Sequence, residues 1–212
     1  MIPIETNNSN NTGIIILAAG SSSRLGAPKQ LLSYAGTTLL QHCLQTAIAA
    51  NANPVVVVVG ANANAIKENI KNTTAHVMIN EEWQEGMASS IRCGIQALSN
   101  INPNAEGVIL VVCDQPFVST SLLNNLMITH QKTGKPIVAC SYENTFGPPV
   151  FFHKSIFPEL LLLKGDKGAK NIVQQHAGEM ESILFPGGNI DIDTADDYQK
   201  LSVSTPKILF GH

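Results

Sequence analysis

The chain has 212 residues, 44% of them hydrophobic and 14% charged, with a net charge of −3. That balance describes a folded globule large enough for a substantial core. It excludes a disordered chain and any partner, such as nucleic acid, that is recruited by a general basic field. The longest purely apolar run is about six residues, far short of the roughly twenty of a membrane span. Cys43, Cys93, Cys113 and Cys140 are widely spaced without a CxxC pair, and the six histidines show no metal spacing. Free thiols in a reducing, cytoplasmic compartment are expected, not a zinc site.

Residues 1–12 are polar and asparagine-rich, with neither a basic n-region nor an apolar h-region, and read as a flexible tail. Residues 13–212 contain no linker and no fixed-period repeat, so one domain is expected. The apolar run at residues 14–17 reads as a buried first strand. It leads into LAAGSSSRLGAPKQ, residues 17–30, where small residues leave the backbone open to close approach. Gly20 and Gly26 permit sharp or left-handed turns, and Ser21, Ser22 and Ser23 add hydroxyls without bulk. Exposed amides in such a loop form a concave nest for anions. Arg24 offers a fork and Lys29 a point charge to phosphate oxygens, with Lys29 restrained by the preceding Pro28. The loop is neither GxxxxGK[ST] nor GxGxxG, which argues against a P-loop NTPase and a dinucleotide oxidoreductase.

Residues 37–50 show helical apolar spacing with threonine available as an N-cap. Pro54 opens a valine run before Gly60 that reads as a central parallel strand. A weaker helix is expected over residues 62–71 and a short strand over 75–79. NEEWQEGMASSI, residues 80–91, brings the single tryptophan, a glycine and two serines to the start of a helix expected over 87–98. Trp83 and Met87 at the core edge, with a serine as cap, is the competing structural reading. Residues 108–112 form a third apolar strand, and VVCDQPF sets Asp114 at its tip. A carboxylate there can cap a turn, or supply a hard oxygen to magnesium beside phosphates.

A capped helix follows at residues 119–132, a strand at 137–140 and a loop at 142–146. Pro148 and Pro149 exclude central-strand pairing at their own positions, although residues 150–152 can enter a strand. LKGDKGAK, residues 163–170, is a second glycine-rich basic turn before a helix expected over 171–177. Either Asp166 caps that helix or its N-terminus, helped by Lys167 and Lys170, receives an anion. In NIDIDTADDY, residues 189–198, alternation predicts an extended strand with Asp191 and Asp193 on one side, and Asp196 and Asp197 in the first turn of a helix. Residues 207–210 read as a last strand or as a segment packing on a partner chain. Alternating strands and helices predict an α/β fold, a single three-layer Rossmann-like domain with a mostly parallel sheet.

LAAGSSSRLGAPKQLL resembles the signature of Rossmann-like nucleotidyltransferases, roughly LAAGxSxRxGxPKxLL, in which the loop wraps the triphosphate of an incoming nucleotide. The resemblance implies nucleotide-binding roles for Leu17, Ala18, Ala19, Gly20, Ser21, Ser22, Ser23, Arg24 and Lys29. WxxGMxxSI at residues 83–91 is similar in particular to the molybdenum cofactor cytidylyltransferases. It implies that Ser90 touches the nucleoside and that Gly86, Met87 and Ser89 face nucleoside or substrate. GxPxxF implies acceptor contacts at Gly147 and Pro149, although Pro148 departs from the family pattern. LxGDxGA implies an acceptor phosphate site at Gly165, Asp166 and Gly168.

The family carries its metal-binding aspartate at the position of Asp114, and DIDTxxD implies a second magnesium ligand at Asp191 or Asp193. Arg24, Lys29 and Asp114 are thereby the expected catalytic set, with Mg2+ as cofactor. Ala19 of LAAG, where guanylyltransferase relatives have LAGG, favours CTP. The implied reaction moves CMP from CTP to the phosphate of molybdopterin and releases pyrophosphate. Alternatives are another phosphorylated acceptor, such as a sugar or methylerythritol phosphate, and a non-catalytic protein that delivers the nucleotide or cofactor. The resemblance admits a molybdoenzyme or maturation factor as partner, and a monomer or homodimer.

Overall fold

The structure, a computed structural model, describes residues 11–23 and 25–204. β1 (Thr12–Ala18) begins within the segment expected to be tail, and Arg24 and residues 207–210 lie outside the described residues. β2 (Ser33–Tyr34) and β3 (Thr37–Thr38) form a small hairpin. α1 (Leu39–Ile48) therefore starts two residues later than expected. Thr38 caps it, accepting from the Gln41 amide while the Gln41 side chain accepts from the Thr38 amide. β4 (Val55–Val59), α2 (Ala63–Asn69), β5 (His76–Ile79), α3 (Met87–Ile101) and β6 (Gly107–Val112) follow. α4 (Thr120–Thr133) is capped by Ser119, which accepts from the Leu122 amide.

The remaining elements are β7 (Ile137–Tyr142), β8 (Thr145–His153), α5 (Phe157–Leu161), α6 (Lys170–Gln175), β9 (Met180–Leu184) and α7 (Ala195–Ser204). The main sheet has the order β5-β4-β1-β6-β8-β7-β9, and β8 alone runs against the others. Valine and isoleucine runs suit central strands because both faces are covered. On one face Leu40 and Leu44 of α1 and Leu123 and Leu126 of α4 pack in a core with Ile14, Ile16, Val57 and Ile109. On the other, Ile91, Ile95 and Leu98 of α3, with Leu160 and Ile172, pack with Ile15, Val56, Val58 and Leu110. Each fully buried side chain of this size contributes about 1.5–3 kcal/mol. Three layers result, as expected.

α3 lies close to the sheet at Gly94, where an added Cβ would stand 2.6 Å from Ile15 Cγ2. Gly94→Ala is expected to lower stability by about 1–3 kcal/mol through overpacking, despite alanine's better helix propensity. Urea denaturation should show a lower midpoint with an unchanged slope.

Four sequence-based expectations differ in detail. Residues 142–146 are no open loop: Tyr142 pairs with Thr145, and Glu143 and Asn144, at φ 45° and 62°, make a two-residue hairpin turn. Pro148 and Pro149 do lie within β8, but the register jumps from Ala139↔Val150 to Cys140↔Gly147, so neither proline is asked for a ladder hydrogen bond. Asp166 does not cap α6; Ala169 holds that position without a side-chain bond. The segment at residues 190–193 is irregular and joins no sheet; its backbone bonds just past a strand tip instead, the Ile192 amide donating to Asp114 O at 3.2 Å. Asp196 and Asp197 do enter the first turn of α7, where Asp197 Oδ2 accepts from the amide and hydroxyl of Thr194.

Candidate active site

Parallel register fixes where the motifs emerge. Leu17 pairs with both Val58 and Val112, so β1, β4 and β6 end level and their following loops leave at one edge. Ligands of open α/β sheets bind at such carboxyl ends. The loop after β1 is drawn back on itself by Gln30, which is only 1% exposed and donates from Nε2 to Ala18 O and Gly20 O, both at 2.9 Å. Ser22, in a left-handed conformation, accepts from the Lys29 amide at 3.0 Å. Sequence reasoning did not single out Gln30. The signal was a long polar residue next to the apolar Leu31 and Leu32, which has to bury its amide against backbone partners.

The Lys29 ammonium is bonded to Asp114 Oδ2 and, at 3.0 Å, to Asp193 Oδ1. Burial alone would lower its pKa, but the neighbouring carboxylates of Asp114 and Asp193 raise it above the usual lysine value, so it is charged at neutral pH. Asp114 Oδ1 is buried without a partner. Asp191 lines a further depression with Phe117 and Lys200, within electrostatic reach of Asp114 and Asp193. Although the residue is exposed, desolvation of its carboxyl, followed by repulsion from Asp114 and Asp193, pushes it up to about 6.

A hard divalent cation fits this corner. Asp114 offers an unsatisfied buried oxygen and Asp193 a second carboxylate, and Lys29 supplies the positive charge that the pair requires. Among the described residues no cluster of three or more His, Cys, Asp or Glu side chains is arranged to hold a metal. The other ligands would be phosphate oxygens and water.

A cleft of about 270 Å³ opens beside this group, lined among others by Ala19, Gly20, Lys29, Ser90, Asp114 and Asp166. Leu17, Ala18, Gly86 and Met87 also border it. Ser90 accepts from Asn80 Nδ2 at 3.0 Å. Ser89 does not face the cleft: it is 2% exposed, donates to the carbonyls of Glu82 and Gly86, and accepts from Asn80. Its position on α3 turns it inward, so the expected substrate contact becomes a loop brace. Asn80, a buried amide just past β5, is a second residue that sequence reasoning passed over. Ser21 and Ser23 lie exposed on the loop beyond the cleft lining.

A second cavity of about 300 Å³ adjoins the first and shares Leu17, Met87 and Val112 with it. Its walls are mostly apolar, including Leu110, Phe146, Val150 and Phe152, with Lys167 and Lys170 among them. Gly147, Pro148 and Gly168 are among its lining residues, and Pro149 is not. Asp166 borders the first cleft rather than the second, and Gly165 sits at the seam, its backbone against Gly86. A roomier depression of about 540 Å³ at the opposite end of the sheet, around Asn11, Asn53 and Asn102, has no ionisable side chain among the described residues that line it.

A small-residue loop and a strand-tip carboxylate that share one lysine, at the carboxyl edge of a mostly parallel sheet, define a Rossmann-like nucleotidyltransferase. Residues 14–180 match the model of the MobA-like NTP transferase domain, and the chain belongs to that family. It is 28% identical over 198 residues to nicotine blue oxidoreductase of Paenarthrobacter nicotinovorans, covering 88% of this chain and 94% of that protein. It is likewise 28% identical over 197 residues to purine catabolism protein PucB of Bacillus subtilis (strain 168), covering 87% and 92%. Among solved structures it resembles Rv0371c of Mycobacterium tuberculosis H37Rv, with a TM-score of 0.80, 34% identity and coverage of 91% and 97%. A manganese complex of Rv0371c superposes with a TM-score of 0.76.

Proposed function

We propose that this nucleotidyltransferase moves CMP from CTP to the phosphate of molybdopterin, with release of pyrophosphate. The observation that carries the reading is the Lys29 bridge between Asp114 and Asp193 beside a cleft that adjoins a second, acceptor-sized cavity. Lys29 and Arg24 hold the β- and γ-phosphates and stabilise the leaving pyrophosphate. Loop amides from Ala19 and Gly20 donate to phosphate oxygens in a cleft that limits water. Asp114 and Asp193 would hold a divalent cation, which supplies charge neutralisation at the reacting phosphates when bound. Manganese in the structure of Rv0371c supports a divalent ion here.

A phosphate monoester acceptor is already ionised, so the protein's task is alignment of its oxygen with the α-phosphorus. Lys167 and Lys170 bring positive charge to the acceptor cavity, and its apolar walls suit a ring system. The small Ala19, at the base of the nucleotide cleft, supports a pyrimidine. A cytoplasmic location, with a molybdoenzyme or maturation factor receiving the product, follows from the same reading.

The test is pyrophosphate release by purified protein with Mg2+ and molybdenum-loaded molybdopterin, comparing CTP, GTP, ATP and UTP. Release with CTP alone is expected. Release only with a sugar phosphate or methylerythritol phosphate would reassign the acceptor. Nucleotide binding without release on any acceptor would favour a delivery protein. Redox turnover of nicotine blue in a parallel assay would favour the activity in the name of the Paenarthrobacter relative.

A further inference from the structure

Two loops meet at the seam between the cavities, and what joins them lies outside both. Arg92, on the second turn of α3, donates from one guanidinium nitrogen to Glu85 Oε1 at 2.8 Å and to Leu163 O at 2.7 Å. Its other terminal nitrogen donates to Glu85 Oε2 at 2.6 Å and Glu82 Oε2 at 3.3 Å. Glu85 Oε1 in turn accepts from the Gly165 amide at 3.2 Å, and the Ala88 amide donates to Gly165 O at 3.0 Å. The backbones touch here: a Cβ on Gly86 would stand 2.7 Å from Gly165 O. Beyond the seam, Met87 packs over Gly168, and Met87 borders both cavities.

The two loops differ in what else holds them. The loop at residues 80–88 has its own braces, with Asn80 bonded to Ser89, Ser90 and the Glu82 amide, and Ser89 bonded to Glu82 O and Gly86 O. The turn at Leu163–Gly165 is joined to the first loop through Arg92, Glu85 and Ala88. Downstream it carries Asp166 to the nucleotide cleft and Lys167, Gly168 and Lys170 to the apolar cavity.

We infer that Arg92 and Glu85 are a positioning pair, a two-pronged clasp that sets the acceptor-side turn at residues 163–168 against the nucleotide-side loop and so fixes the spacing of the two reactants. The inference rests on the proposed transfer reaction for its kinetic consequence, but not for its structural one. Neither residue is in the lining of the nucleotide-side cleft or of the apolar cavity, so the pair acts on them through Gly165 and Leu163. A guanidinium is required because one planar group has to engage a carboxylate with two parallel bonds and a carbonyl with a third. Arg92 holds the Glu85 carboxyl at about 2, chiefly through these hydrogen bonds, so the clasp stays ionised across the neutral range.

The test uses the full-length protein and two readouts. Arg92→Gln is expected to speed amide hydrogen exchange at Ala88 and Gly165 by roughly tenfold or more, with Ile15 and Ile16 of β1 unchanged. In pyrophosphate release with molybdopterin, its acceptor KM should rise about tenfold while kcat changes less than about threefold. Mg·CTP affinity, read from Trp83 fluorescence, should be near wild type. Arg92→Lys, which keeps the charge but loses the two-nitrogen fork on the Glu85 carboxylate, should fall between. Glu85→Gln, which keeps an acceptor for Gly165 and loses the ionic fork, should move both readouts in the same direction by less. Unchanged exchange at Ala88 and Gly165 in Arg92→Gln would overturn the clasp, as would an unchanged acceptor KM in an enzyme that uses molybdopterin. If the wild type does not turn molybdopterin over, the proposed reaction fails and the exchange rates alone decide the clasp.

Discussion

Asp114→Ala is expected to lower pyrophosphate release by about a thousandfold or more, while the protein stays folded. Asp114 is the point where two demands meet. Its Oδ2 neutralises Lys29, and its buried Oδ1 is left for a cation. On the proposed reaction, alanine would remove a ligand of the divalent cation beside the reacting phosphates, where charge neutralisation is worth several kcal/mol. Stability should fall by no more than about 2 kcal/mol, because Asp193 still pairs with the Lys29 ammonium. Turnover and thermal unfolding of the variant, measured on the same preparation, separate the two effects. A loss of activity matched by loss of the fold would make Asp114 structural. Full activity would remove it from the metal site altogether. Isothermal titration with Mn2+ adds a reading that needs no acceptor: wild-type binding in the presence of CTP should vanish in Asp114→Ala.

Gly86→Ala is the second large effect, and it should strike activity and stability together. Gly86 sits at φ 119° and ψ −167°, a backbone region essentially restricted to glycine. A methyl group would also stand 2.7–2.8 Å from the backbone of Gly165 and Asp166. Strain alone costs about 1–3 kcal/mol, and neither backbone can yield without opening the seam. Displacing Asp166 and Gly168 from the nucleotide and acceptor walls by about 1 Å should reduce turnover about a hundredfold. Steady-state kinetics beside urea denaturation provide the check. A variant with wild-type kcat and stability would show that the seam tolerates separation. The contrast with Asp114→Ala is diagnostic, since that change should leave the fold nearly intact.

Much of the fold was legible because strand and helix periods are local. Ile14 to Ile16 and the valines after Pro54 read as strands covered on both faces, and α1, α3 and α4 declared themselves by apolar spacing and by Thr38 or Ser119 as caps. The reversed direction of β8 was not legible, since pairing is decided by a turn of only two residues, Glu143 and Asn144. The direction of Ser89 was not legible for a related reason. Two adjacent serines on one helix differ by about 100° in direction, and only the packing of α3 shows that Ser90 meets the cleft while Ser89 turns toward Glu82 and Gly86. Between Asp191 and Asp193 the spacing offered no choice, whereas the Ile192–Asp114 backbone bond brings Asp193 to Lys29.

The sequence by itself determined the groups available: a small-residue loop with Lys29, an acid at the tip of a buried strand, and two glycine-rich turns. Those properties reside in residue type and short spacing, so they survive without coordinates. Tertiary structure alone decided that Lys29 bridges carboxylates 85 and 164 positions away, that Gln30 closes the loop, and that Arg92 bonds Leu163 O, 71 positions away. Such contacts are fixed by strand register and by which loops leave the same sheet edge. They depend on how the whole chain satisfies its burial and hydrogen bonds at once, which no local pattern encodes.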